Sequence, residues 1–149
     1  MGKLYVVGTP IGNLSDFSPR ARETLESVDF IAAEDTRVTL KLLNKFEIKN
    51  SLVSYHEHNR GKAGEMIVNR ILNGENCAIV TDAGMPAISD PGEELVKLCR
   101  EKGVEVESVP GPTAFATAMA ISGMSSTRFT FEGFLSVTKR NRKEHLLSL

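Results

Sequence analysis

Ala78-Ile-Val-Thr-Asp-Ala-Gly-Met-Pro-Ala-Ile-Ser-Asp-Pro-Gly92 decides the fold of this chain, because it leads from a strand through a loop into a helix. Residues 78–81 are apolar and suit a buried strand. Ser89 or Asp90 is predicted to cap the following helix, with Pro91 at its first position. Ligands of open α/β sheets bind at the carboxyl ends of strands. The loop is therefore either an ordinary connection or part of a ligand site.

Short apolar runs alternate with helical patterns along the rest of the chain. The five predicted strands cover Leu4–Val7, Phe30–Ala33, Leu52–Tyr55, Cys77–Thr81 and Val104–Val109. Repeated βαβ units predict an α/β fold with a mostly parallel five-stranded sheet flanked by helices, in a domain over residues 1–123. Alternating Phe129, Phe131 and Phe134 predict a sixth strand, the first of a truncated second α/β domain over residues 124–149. The chain is accordingly expected to be an N-terminal fragment.

Composition restricts the class of protein. With 149 residues the chain can build one domain with a sizeable core. A net charge of −1 excludes a strong overall attraction to nucleic acid or membranes. Cys77 and Cys99 lie in apolar runs and suit the core of a reduced, intracellular protein. The start of the chain shows no signal-peptide pattern, and no apolar run approaches the roughly 18 residues of a membrane span. These features predict a cytoplasmic protein without membrane partners.

Gly8-Thr-Pro-Ile-Gly12 stands where a dinucleotide-binding fold has its glycine fingerprint. The third glycine is absent, and the next helix is predicted to begin near Ser18, too far from the loop to bind a pyrophosphate. Asp35 has about the spacing of a ribose-binding acid. A nicotinamide-dependent enzyme therefore remains an alternative.

Four polar motifs allow both a structural and a functional interpretation. Glu34-Asp-Thr-Arg37 is either a capped helix start or a polar surface whose arginine binds phosphate. His56-Glu-His58 has too few ligands for a closed zinc site, so a solvated or substrate-facing loop is favoured and no metal is predicted. Lys139-Arg-Asn-Arg-Lys143 is a solvated helix face or a set of phosphate contacts. In Pro110-Gly-Pro-Thr-Ala114, the threonine caps a helix or contacts a ligand.

Five motifs together resemble one family. They are Val7–Leu14, Glu34–Arg37, Thr81–Gly92, Val109–Phe115 and Phe129–Phe134. In this order and spacing they resemble the tetrapyrrole methylase superfamily of S-adenosylmethionine-dependent methyltransferases. Within it, the chain is most similar to the branch that 2′-O-methylates a cytidine of 16S small-subunit ribosomal RNA.

The resemblance implies a two-domain enzyme that binds S-adenosylmethionine between its halves. The cofactor contacts that it implies in this chain are Pro10, Asp82, Ala83, Gly84, Ala87, Ile88, Thr113 and Ala114. The acid precedes the turn here, at Asp82, whereas many relatives have it at the end of the turn. The family's remaining contacts lie in the second domain, so the 149-residue chain is expected to be inactive alone. The resemblance also implies a homodimer.

Methyl transfer to a ribose hydroxyl needs alignment and benefits from a base within hydrogen-bond reach. Glu34, Asp35 and His56 follow predicted strands and are candidate bases, with no choice among them. The groups expected to bind the RNA are Asp35, Arg37, Lys139, Arg140 and Arg142. A porphyrin or corrin methyltransferase, and a nucleotide- or RNA-binding module without chemistry, remain alternatives.

Overall fold

The computed structural model describes residues 1–149 and divides into two compact units, Met1–Ala114 and Phe115–Leu149. The strands are β1 (Lys3–Val7), β2 (Phe30–Ala33), β3 (Leu52–Ser54), β4 (Cys77–Val80) and β5 (Glu105–Val109). The helices are α1 (Pro19–Ser27), α2 (Thr36–Lys45), α3 (Arg60–Leu72), α4 (Glu93–Glu101), α5 (Ala114–Ile121) and α6 (Lys139–Ser148). A 3₁₀ turn covers Leu14–Asp16. No helix is both long and apolar enough to span a membrane.

The first unit is a parallel five-stranded sheet in the order β3-β2-β4-β1-β5. Buried residues of α1 and α2 pack on one face of the sheet, and buried residues of α3 and α4 pack on the other. The chain moves toward one edge of the sheet from β1 to β3 and toward the other edge from β3 to β5. Right-handed crossovers therefore place α1 and α2 on one face and α3 and α4 on the opposite face. The predicted α/β class and five-stranded parallel sheet are confirmed.

The central strand β4 contributes to both cores. Cys77 and Ile79 belong to the cluster that contacts α3 and α4, whereas Ala78 and Val80 belong to the cluster that contacts α1 and α2. Successive side chains of a strand point to opposite faces. Because both faces are covered, every residue of β4 is buried, which explains its continuously apolar sequence.

Side-chain caps form at the first two helices but not at α4. Ser18 Oγ accepts a hydrogen bond of 3.0 Å from the Ala21 N–H, and Asp35 Oδ1 accepts one of 2.8 Å from the Arg37 N–H. The predicted cap of α4 at Ser89 or Asp90 is wrong, because α4 begins at Glu93 after Gly92. Ser89 has a φ of 56°, so its backbone lacks the extended conformation of a capping residue.

The predicted sixth strand is also wrong. The segment between α5 and α6 contains no strand, and Phe129, Phe131 and Phe134 are all exposed. A strand needs a neighbour for its N–H and C=O groups, and no strand of the sheet pairs with this segment. The Phe131 ring instead lies 4.9 Å from the Phe115 ring, measured between centroids. No residue of α5 or α6 is buried.

Candidate functional site

Three loops meet at the carboxyl ends of β1, β4 and β5. The Thr9 N–H donates to the Gly84 carbonyl at 2.9 Å, and the Gly84 N–H returns a bond of 3.1 Å to the Thr9 carbonyl. The Thr9 hydroxyl donates to the Thr81 carbonyl at 3.1 Å. The Gly8 N–H donates to the Val109 carbonyl at 3.1 Å. These bonds hold the three loops in one arrangement.

Gly8 and Gly111 bring the first and last of these loops into backbone contact. A Cβ added at Gly8 would lie 2.6 Å from Gly111 Cα, and a Cβ added at Gly111 would lie 2.7 Å from Gly8 Cα. Gly84, between the two loops, has a φ of +90°, which favours glycine. Close approach of the backbones therefore requires glycine at positions 8 and 111, and the backbone conformation favours glycine at position 84.

The position of β4 explains why a crevice forms here. The connections that follow β1 and β2 lead to the α1 and α2 face, whereas the connection after β4 leads to α4 on the opposite face. Since β4 lies between β1 and β2, the chain beyond its loop leads to the opposite face from the chain beyond either neighbouring loop. In open α/β sheets, ligands bind at such a switch point, beyond the carboxyl ends of the strands.

The carboxylates of Glu34, Asp82 and Asp90 gather on the β2 side of this crevice. The Asp35 N–H donates to Asp82 Oδ1 at 3.2 Å, and the Asp82 N–H donates to Glu34 Oε2 at 3.4 Å. Partial burial raises the pKa of Glu34 above its ordinary value, and the charges of Asp82 and Asp90 add to this effect. Partial burial, with the charge of Asp82, likewise raises the pKa of Asp90. This side of the site is therefore rich in negative charge.

Asp35 differs from its acidic neighbours because it is paired. The Arg37 guanidinium donates to Asp35 Oδ1 at 3.0 Å through Nε and to Oδ2 at 2.6 Å through Nη2. These bonds, with that from the Arg37 N–H, hold the pKa of Asp35 well below its usual range. Asp35 is thus both the cap of α2 and the partner of an arginine whose side chain is 86% exposed.

The structure brings together only part of the predicted site. Pro10, Asp82, Ala83, Gly84 and Thr113 lie on the converging loops, and Ala114 begins α5. Ala87 and Ile88 lie further along the β4 loop, where Ile88 is 43% exposed. The catalytic and cofactor assignments of these residues remain predictions.

His56 lies after β3, at the end of the strand that pairs with β2. Its Nδ1 is buried without a hydrogen-bond partner, and no hydrogen bond or ion pair joins its side chain to Glu34 or Asp35. Lys139, Arg140 and Arg142 belong to α6 in the second unit. No group of three or more His, Cys, Asp or Glu side chains is placed to hold a metal ion.

Thr9 and Thr81 are site residues that the sequence reasoning missed. Thr9 is 2% exposed and contributes both the backbone and the hydroxyl bonds described above. Thr81 is 3% exposed, and its hydroxyl has no hydrogen-bond partner. A threonine directly after an apolar strand is a weak signal, because strands also favour threonine on steric grounds.

The fold and the convergent loops define an α/β protein with a candidate ligand site where its crossovers switch direction. Comparison with protein families then identifies the family, because the model of the Tetrapyrrole (Corrin/Porphyrin) Methylases matches residues 3–149. The chain belongs to this family.

Curated relatives are similar over the whole chain. Proteins named ribosomal RNA small subunit methyltransferase I from Synechocystis sp. and Thermotoga maritima are each 53% identical over 149 residues. The match covers 100% of this chain in both cases, but 53% of the Synechocystis protein and 67% of the Thermotoga protein. The Bacillus subtilis protein of the same name is 50% identical over 149 residues, which are 51% of its length. The chain thus spans about half the length of most of these relatives.

Solved structures confirm the fold. Uroporphyrin-III C-methyltransferase from Thermus thermophilus superposes with a TM-score of 0.63 at 23% identity, over 86% of this chain and 55% of that one. Diphthine synthase superposes with a TM-score of 0.66 at 13% identity, over 87% of this chain and 52% of that one. At these identities the similarity concerns the fold alone.

Proposed function

We propose that this chain is part of an S-adenosylmethionine-dependent methyltransferase that 2′-O-methylates a cytidine of 16S small-subunit ribosomal RNA. The observation that carries the proposal is the 53% identity to proteins named ribosomal RNA small subunit methyltransferase I, over all 149 residues. Every loop of the described site lies inside this match. A homodimer accompanies the proposal because the family resemblance implies it. A cytoplasmic location accompanies it because Cys77 and Cys99 suit a reduced, intracellular protein.

The converging loops suit a cofactor with amino, carboxylate and ribose groups. They place backbone N–H and C=O groups and the exposed carboxylate of Asp82 at the crevice, and Gly84 leaves space there because it has no side chain. S-adenosylmethionine, when bound, supplies a methyl group on a positively charged sulfonium. The residues proposed to hold it are Pro10, Asp82, Ala83, Gly84, Ala87, Ile88, Thr113 and Ala114.

Of the two carboxylate candidates, Glu34 and Asp35, the electrostatics favour Glu34. A general base works best when its pKa lies nearer the working pH. Burial raises the pKa of Glu34, whereas the bonds from Arg37 lower the pKa of Asp35 and occupy both of its oxygens. We therefore assign the proton acceptor role to Glu34. Asp35 is assigned to positioning Arg37, whose exposed guanidinium contacts a phosphate of the RNA.

Calorimetry tests the cofactor site. S-adenosylhomocysteine is titrated into the chain, and NAD is titrated separately to test the alternative of a nicotinamide-dependent enzyme. Asp82→Asn keeps the oxygen that accepts from the Asp35 N–H but loses the charge, so binding should weaken about tenfold. Asp16→Asn, in the exposed 3₁₀ turn, makes the same change of charge outside the site and should leave affinity unchanged. Saturable binding of NAD alone would overturn the assignment.

Transfer of labelled methyl groups to small ribosomal subunits tests the activity. In a chimaera, residues 1–149 of this chain replace the matching 149 residues of the Thermotoga maritima relative. We expect the chimaera to methylate the RNA and the 149-residue chain alone to be inactive. In the chimaera, Glu34→Gln, Asp35→Ala and Arg37→Ala should each reduce methylation while S-adenosylhomocysteine still binds. Unchanged turnover in all three variants would refute these roles, and methylation by the chain alone would refute the need for more of the protein.

A further inference from the structure

A cavity of about 250 Å³ lies between α2 and the loops that follow β1 and β4. We call it the α2 cavity. Its lining includes Leu14, Val38, Lys41, Leu42, Lys45 and Thr81. Apolar side chains form most of the surface, and two lysines and Thr81 also line it.

Thr81 supplies an unused polar group in this cavity. Its side chain is 3% exposed, and its hydroxyl finds no donor or acceptor in the protein. Buried hydroxyls are nearly always hydrogen-bonded, because leaving one unpaired costs about 1–3 kcal/mol. Rotation about the Cα–Cβ bond of Thr81, which lines the cavity, would turn this hydroxyl toward a ligand bound there.

The helix beside the cavity carries a row of positive charge. Arg37, Lys41 and Lys45 are four residues apart, so they share one face of α2 and follow each other at about 6 Å along its axis. The helix contains no acidic residue, and neither lysine belongs to an ion pair. Such a row is complementary to the phosphates of a nucleic acid strand.

We propose that the α2 cavity receives one unpaired nucleotide of the RNA substrate, with Lys41 and Lys45 contacting the flanking phosphates. This inference rests on the proposed function and adds the place where the RNA strand binds. Sequence-specific recognition of RNA mostly uses unpaired bases, which are packed against side chains and hydrogen-bonded at their edges. The cavity offers both contacts, through its apolar side chains and through the Thr81 hydroxyl once that side chain rotates.

The size and surface of the cavity favour a single nucleotide. Pockets that enclose drug-sized ligands measure roughly 300–1,000 Å³, so about 250 Å³ suits one base and not a dinucleotide. Leu14 and Val38 are 45% and 37% exposed, which leaves apolar surface at the cavity for a base to cover. Pro10 and Asp82 also line it. A nucleotide bound there would therefore adjoin the proposed cofactor loops.

Fluorescence anisotropy tests the inference. The probe is a labelled ten-nucleotide single-stranded RNA containing cytidines, titrated with the 149-residue chain at several salt concentrations. A duplex RNA of the same length is the comparison. We expect the single strand to bind saturably and more tightly than the duplex. Absence of saturable binding, or equal binding of the duplex, would overturn the proposal.

Two variants separate the contributions of the base and the phosphates. Thr81→Val has nearly the same shape, so it should weaken binding of the single strand about two- to tenfold while the melting temperature stays equal or rises. Lys41→Ala with Lys45→Ala should weaken binding about fivefold and reduce the slope of log K against log salt by about 1.4. The matched control, Lys97→Ala with Lys102→Ala on the α4 side, should change neither quantity.

The outcomes distinguish this inference from the proposed function. If Thr81→Val binds the RNA as tightly as the parent, or both lysine pairs behave alike, the α2 cavity does not bind the strand. If the Thr81 and Lys41/Lys45 variants lose affinity for S-adenosylhomocysteine and keep it for RNA, the cavity belongs to the cofactor site and the inference is overturned. If the chimaera binds no S-adenosylhomocysteine and transfers no methyl group but these variants lose RNA binding, the proposed function fails and the inference stands.

Discussion

Gly111→Ala should break the junction that joins the loops after β1 and β5. The added Cβ would lie 2.7 Å from Gly8 Cα, 2.9 Å from its carbonyl carbon and 3.1 Å from its carbonyl oxygen. All three neighbours are backbone atoms, so no side-chain rotation relieves the contact. Forced overpacking of this kind costs about 1–3 kcal/mol. The loops must separate, and the bond of 3.1 Å from the Gly8 N–H to the Val109 carbonyl is weakened.

Urea unfolding and thermal melting measure this cost. A loss of about 1–3 kcal/mol corresponds to a decrease in melting temperature of roughly 3–10 °C for a domain of this size. Gly61→Ala is the matched control, because Gly61 lies in α3 with nothing within 4 Å of the added Cβ. That substitution should stabilise the protein by about 0.5 kcal/mol, since glycine is a poor helix former.

The reciprocal substitution sharpens the test. Gly8→Ala places its Cβ 2.6 Å from Gly111 Cα and should be similarly destabilising. Since both changes open the same junction, the double variant should lose less stability than the two single losses combined. If Gly111→Ala is as stable as the parent while Gly61→Ala behaves as expected, the close approach of these loops is refuted.

Two further predictions follow from the pKa shifts. The pKa of Asp35 is lowered by Arg37, so its contribution to stability is present above the unfolded value of 3.8 and is lost as the pH falls toward the folded value. Between about pH 4 and pH 2, the free energy of unfolding should therefore fall less for Asp35→Asn than for the parent, as measured by urea unfolding. An identical fall in both proteins would contradict the pairing of Asp35 with Arg37. Burial raises the pKa of Cys99 to about 11 and that of Cys77 further, so iodoacetamide at about pH 8 should label neither thiol in the folded chain and both in urea. Rapid labelling of either folded thiol, measured by mass spectrometry, would show that the core is open.

The secondary structure of the first unit was predictable because it depends on neighbouring residues. Four-residue apolar runs such as Cys77–Val80 indicate strands buried on both faces, and Ser18-Pro19 indicates the start of a helix. The two errors have tertiary causes. Positive φ values at Ala87 and Ser89 delay α4 to Glu93. The alternating phenylalanines after residue 123 have no strand beside them in this chain.

The sequence by itself determined which segments of the first unit form strands and helices, that the strands are parallel, and which loops follow their carboxyl ends. Only the tertiary structure decided that β4 lies between β1 and β2, because strand order depends on pairing between segments distant in sequence. That order brings Glu34 and Asp82, 48 residues apart, within hydrogen-bond reach. It also packs Gly8 against Gly111 and leaves the Thr81 hydroxyl without a partner at the α2 cavity. These features arise from three-dimensional packing, where the partners of a group are set by the strands that lie beside it.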